Sequence, residues 1–161
     1  CLLISILVLI FCSTDTEDEY VCNSELNPIN MIFKYGYASR NILNTFDCTY
    51  QKDLINDPPI TTHLTLTINE LDSIYALMQS IDFFNYPDTF FVIGDMIRPY
   101  PTYIFYVETD ILQKNLHWED YVWNISLSEA ESLRVLINFI IDIIESKEAY
   151  KELPEPTGGY M

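Results

Sequence analysis

The chain has 161 residues, with 8 lysines and arginines against 24 aspartates and glutamates, for a formal net charge of −16. That length holds one domain, and the charge excludes nucleic acid and anionic membrane surfaces as favoured partners. A basic protein partner, or plain solvation on a crowded surface, fits the sign.

Residues 1–12, CLLISILVLIFC, carry no charge and a single polar side chain, Ser5, besides Cys1 and Cys12. The run is shorter than the ~20 residues of a spanning helix. It reads as an export signal whose basic opening would precede Cys1. No small-residue cleavage site ends it. Leu9–Cys12, LIFC, instead resembles the lipobox of bacterial lipoproteins in Leu9 and Cys12, with Phe11 where a small residue is usual. After Cys12 come Ser13 and the acids Asp15, Glu17, Asp18 and Glu19, similar to the sorting signal of surface-exposed lipoproteins in some Gram-negative bacteria. This resemblance implies acylation at Cys12 and a lipid anchor to the outer membrane. The domain would then stand in the cell envelope, periplasmic or surface-exposed. A plain export signal, cleaved or retained, is the other reading.

Residues 13–27 lack an apolar period and read as an acidic flexible tether. Cys22 and Cys48 are an even pair, for which an oxidising compartment predicts a disulfide. Closing the loop between them would stabilise the fold by about 3 kcal/mol. One buried and one free thiol is the alternative.

From Ile29 the period becomes two. Ile29, Met31, Phe33, Tyr35 and Tyr37 alternate as the buried face of a first strand. "ASRN" supplies a turn, and "LNTFDCTYQKDL" reads as a second strand with Phe46, Cys48 and Tyr50 on one face. Pro58 and Pro59 cannot lie in a central strand, so the third is placed at "ITTHLTLT". Thr67–Glu70, TINE, is a capping box. Leu71, Ile74, Tyr75, Met78 and Ile81 follow at helical spacing, and Tyr86 before Pro87 ends the helix. Residues 88–101 read as a loop with a short extended piece. "TYIFYVETD" is apolar on both faces and reads as a central strand, with "QKNLHWED" as its hairpin partner. Ser126–Glu129 forms a second capping box. Ala130, Leu133, Leu136, Ile137, Ile140, Ile141 and Ile144 stripe the last helix, which is expected to run to Lys151. The predicted architecture is α+β, an antiparallel sheet in the chain order β-β-β-α-β-β-α with two helices packed on one face. One domain spans residues 28–153, and residues 154–161 form a Pro/Gly-rich tail.

This order, the helix entry at Thr67, "FFNYPD" and the lysine-bearing end of the last helix resemble small bacterial lipoproteins of uncharacterised domain families. The resemblance implies export and one compact domain, and it implies no activity.

Catalytic signatures are absent from the sequence. His63 and His117 are far apart with no adjacent cysteine, so no zinc spacing is present. The run Asp15, Glu17, Glu19 opens like a calcium loop but lacks the required glycine and closing glutamate. There is no G-x-S-x-G elbow, P-loop or dinucleotide fingerprint, and no cofactor is expected. Residue types suited to binding concentrate in His117–Trp123, HWEDYVW. Trp118 and Trp123 offer aromatic faces, His117 adds an imidazole, and Glu119 and Asp120 are hydrogen-bond acceptors. As packing, the same tryptophans would anchor the last helix to the sheet. The function expected is a membrane-anchored domain acting by protein or envelope-component binding, with an inhibitor or immunity module for a cationic enzyme as its sharper form. Two alternatives stand beside it, an envelope polysaccharide hydrolase using Glu119 and Asp120, and a passive envelope component.

Overall fold

The computed structural model describes residue 22 and residues 27–90, 99–121 and 128–160. The elements are β1 (Asn30–Tyr35), β2 (Asn41–Asn44), β3 (Thr49–Leu54), β4 (Asp57–His63), α1 (Ile68–Ser80), a 3-10 turn at Phe83–Asn85, β5 (Thr89–Phe90), β6 (Thr102–Glu108), β7 (Gln113–Glu119), α2 (Ser128–Ser146) and α3 (Glu148–Lys151). Among the described residues the strands form one seven-stranded sheet, ordered β4-β3-β2-β1-β6-β7-β5. Every pairing is antiparallel except that of β5 with β7. The fold is α+β.

Alternation builds the inner face. β1 buries Met31, Phe33 and Tyr35, β6 buries Phe105 and Val107, and β7 buries Leu116 and Trp118. Phe33 lies opposite both Leu43 and Phe105, so these side chains share one surface. α1 adds Leu71, Ile74 and Met78, and α2 adds Ala130, Leu133, Leu136, Ile137, Ile140 and Ile144, to form one core. Neither helix has a basic residue in its last turn. Dipole complementation, about 0.3–1 kcal/mol, is therefore missing there. Burial at about 1.5–3 kcal/mol per large aliphatic side chain decides that both helices form.

The capping box at α1 is complete. Glu70 N donates to Thr67 Oγ1 at 3.1 Å, and Thr67 N donates to Glu70 Oε2 at 2.8 Å. Lys147 Nζ reaches both oxygens of Glu70, at 2.6 and 2.5 Å, tying the start of α1 to the end of α2. The last helix is not continuous to Lys151. Lys147 is extended (φ −72°, ψ 137°) and caps the separate turn α3. The proposed second capping box begins at Ser126, outside the described residues.

The predicted second strand is in fact a hairpin. β2 ends at Asn44, residues 45–48 turn, and β3 begins at Thr49. Asn44 Oδ1 accepts from Phe46 N at 3.0 Å, and Asn44 Nδ2 donates to Asp47 Oδ2 at 2.8 Å, the side-chain bonding of a local turn. Cys48 has a positive φ of 51° in that turn, so Phe46, Cys48 and Tyr50 do not line one strand face. The third strand also starts earlier than expected, with Pro58 and Pro59 inside β4. Their place is sound because β4 is the sheet edge and its pairing with β3 is irregular there, with a register shift between Lys52 and Leu54. β6 is paired on both sides, by β1 and β7, as its two apolar faces predicted.

Both ends of the domain are held more firmly than the composition suggested. In the segment read as a tether, Cys22 is bonded to Cys48 and Asn27 is buried. The tail does not run free. Thr157 N donates to Leu54 O at 3.2 Å, Thr157 Oγ1 donates to Asp57 Oδ2 at 2.9 Å, and the Tyr160 ring stacks on Tyr37 at 4.2 Å. The disulfide points to an oxidising, extracytoplasmic location. Among the described residues no helix is long and apolar enough to cross a membrane.

Candidate binding surface on the sheet face opposite the helices

Alternation that buries one set of side chains turns the other set outward. The pairing register orders that outer face into rows. One row runs His63, Thr49, Asn44, Ile32, Tyr106, Asn115, and the next runs Thr61, Gln51, Ile42, Lys34, Ile104, His117. Ile32, Ile42, Ile104 and Tyr106 are half-buried at its centre, although both helices lie on the opposite face. Phe46, from the β2–β3 turn, adds its ring at 6.0 Å from Tyr106.

At one end of this face is a cavity of about 500 Å³. Its walls come from the turn after β1 (Tyr37, Ala38, Ser39), from Pro99 and Tyr100, and from Thr102 and Ile104 of β6 and Glu119 of β7. Gly36 makes the turn. Its φ is +86°, a Cβ there would meet Asn41 Nδ2 at 2.8 Å, and its carbonyl accepts from Thr102 N at 2.9 Å. Ser39 is buried and donates to Thr102 O at 3.1 Å, which fixes the turn against β6. Tyr100 is braced edge-on by Tyr121 at 5.7 Å, and its hydroxyl lies 3.5 Å from Glu119 Oε2. His117 Nε2 lies 4.0 Å from Glu119 Oε1, and both side chains are about half exposed.

The period of the strand divides the sequence cluster between two faces. His117 and Glu119 point outward, to the cavity and its rim. Trp118 points inward and is fully buried, between Phe90 at 5.4 Å and Tyr103 at 5.5 Å, with the Arg134 guanidinium 5.6 Å from its ring. Asp120 is 2 % exposed and accepts two bonds from Arg134, from Nε at 2.9 Å and from Nη2 at 2.8 Å. That pair raises the Arg134 pKa further above its ordinary value and pins α2 to the end of β7. Trp118 and Asp120 therefore anchor the last helix and do not reach the outer face. Glu119 and Asp120, adjacent in sequence, are directed apart and form no acid pair for a hydrolase. Trp123 and Cys12 lie outside the described residues. Among the described residues no three His, Cys, Asp or Glu side chains converge on a metal position.

Sequence reasoning missed Tyr37, Ser39 and Tyr100 as cavity walls. Tyr37 and Tyr100 belong to turns more than sixty residues apart in sequence, and only the β1–β6 pairing brings them together. The one available signal was a tyrosine beside Gly36 and another between Pro99 and Pro101. The sequence leaves the strand tyrosines Tyr35, Tyr37, Tyr50 and Tyr106 open between a contact surface and core; in the structure Tyr106 lies on the outer face and Tyr37 at the cavity. Tyr35 and Tyr50 are core, with their hydroxyls 2.7 Å apart. Burial pushes the pKa of both well above 10.

No family model matches the chain, and neither a curated protein nor a solved structure matches it.

Proposed function

We propose that this is an exported domain that acts by contact, through the sheet face opposite its helices, and is tethered at the cell envelope by a lipid on Cys12. One observation carries the reading. The outer face gathers half-buried Ile32, Ile42, Ile104 and Tyr106 beside a tyrosine-walled cavity, while both helices are spent on the other face. Such a combination suits a partner surface with an apolar centre and a polar rim. The disulfide agrees with export, and the separation of Glu119 from Asp120 disfavours the hydrolase alternative. With a net charge of −16, a basic partner would be steered to the domain, faster at low salt.

Site-specific photocrosslinking in producing cells tests the surface. A photoreactive side chain at Ile42 should give a discrete crosslinked product, and one at Val135, exposed on α2, should give none. Equal products from both sites, or none from Ile42, would refute contact through this face. The tether has its own test in the intact mass of detergent-extracted native protein. Acylated Cys12 is expected, and an unmodified chain recovered from the cytosol would overturn it.

A further inference from the structure

The cavity beside Glu119 has a charge pattern that restricts what can fill it. Among its described lining residues Glu119 supplies the single charge, and no lysine or arginine faces in. Lys34 neighbours Ile104 in the ladder but does not line the cavity. Tyr100 stands beside the carboxylate, Tyr37 shares the wall with one ring face stacked on Tyr160, and Ala38, Pro99 and Ile104 add apolar surface. We propose that this cavity receives an arginine side chain from a basic segment of the partner protein. The proposal rests on the contact reading above and names the chemistry of the cavity at one end of that face.

Three features favour arginine over other occupants. A guanidinium is planar, so it stacks on tyrosine faces while its fork of N–H groups donates to a carboxylate. Glu119 has the geometry to accept, because Tyr100 lies on Oε2 at 3.5 Å and His117 only approaches Oε1 at 4.0 Å, which leaves acceptor capacity for two donors. The net charge of −16 favours a cationic over an anionic partner in the approach to the domain. The volume of about 500 Å³ exceeds one guanidinium and admits the flanking backbone of an extended segment as well. An anionic or purely apolar group would leave the Glu119 carboxylate desolvated and uncompensated. A neutral sugar would use the rings but not the charge.

The experiment titrates the purified, disulfide-intact protein with a capped glycine–arginine–glycine tripeptide, by calorimetry and by shifts of the tyrosine ring resonances. The same peptide with citrulline, a neutral isostere of arginine, is the control ligand. Binding of the arginine peptide is expected, weakened about tenfold or more by citrulline and by Glu119→Gln, as for loss of one charge-assisted pair. Asp142→Asn, which removes an exposed charge from α2 far from the cavity, should leave affinity unchanged. Equal affinity for the two peptides, indifference to Glu119→Gln, equal weakening by Asp142→Asn, or no binding in the millimolar range would each overturn the proposal. A thermal melt of each variant verifies that it is folded. If the Ile42 crosslink forms but the tripeptide does not bind, the contact surface stands and the arginine pocket falls. If neither occurs, both fall.

Discussion

Asp120→Ala separates an anchoring role from a binding role within the His117–Trp123 cluster. The Asp120 side chain is 3 % exposed, and its two bonds to Arg134 are short and parallel. Removing it leaves the Arg134 guanidinium, itself only 15 % exposed, above Trp118 with Glu131 still 2.7 Å away. Breaking a buried pair from one side costs about 3–5 kcal/mol. Glu131 is half exposed and retains part of the compensation, so the loss should fall near the lower end, about 3 kcal/mol. For a domain of this size that lowers Tm by about 6–12 °C. Urea and thermal unfolding followed by circular dichroism measure both quantities. The paired replacement Asp120→Leu with Arg134→Leu should recover most of the loss, because apolar side chains of similar volume bear no desolvation cost. A loss below about 1 kcal/mol would refute the anchoring argument. So would a folded Asp120→Ala protein whose arginine-peptide affinity fell as far as that of Glu119→Gln.

Three further perturbations test other parts of the structure. Burial raises the Tyr103 and Tyr150 pKa values to about 12, and those of Tyr35 and Tyr50 higher still, from an ordinary 10. Because these pKa values are raised in the fold, the stability they contribute is complete below pH 10 and is lost as pH climbs toward and past 12. Urea midpoints should be flat up to about pH 9 and fall beyond 10, and tyrosinate absorbance should lag in the folded protein. A decline that starts near neutral pH would contradict this. Reducing Cys22–Cys48, with its sequence separation of 26, should remove about 3.5 kcal/mol if unfolded-chain entropy dominates. An unchanged urea midpoint in reductant, with thiol titration confirming reduction, would show that the bridge adds nothing to stability. Thr67→Ala removes a single capping bond and should cost about 1 kcal/mol. Glu70→Ala also removes the Lys147 contact to Glu70 and should cost about twice that. Equal losses would mean that the Lys147 contact adds no stability.

What the sequence determined by itself was local. The capping box at Thr67, the apolar stripe from Ala130 to Ile144 and the alternation of Met31, Phe33 and Tyr35 depend on neighbours within a turn or two, so these elements were legible. The Cys22–Cys48 pairing was also legible, because with Cys1 and Cys12 read as part of the leader these are the two of the four cysteines that remain. Tertiary structure decided what local patterns leave open. Alternation through Leu43–Leu54 reads as one strand, because a turn of four residues leaves a period-two pattern on either side of it. In the hairpin Leu43 lies opposite Tyr50 and shares its face, whereas in a single strand two residues at an odd spacing would face apart. The same parity sent Trp118 and Asp120 inward and left His117 and Glu119 outside. The cavity belongs wholly to the tertiary level. Its walls meet because β1 pairs with β6 and β6 with β7, and a contact between residues so distant in sequence leaves no periodic trace in either segment.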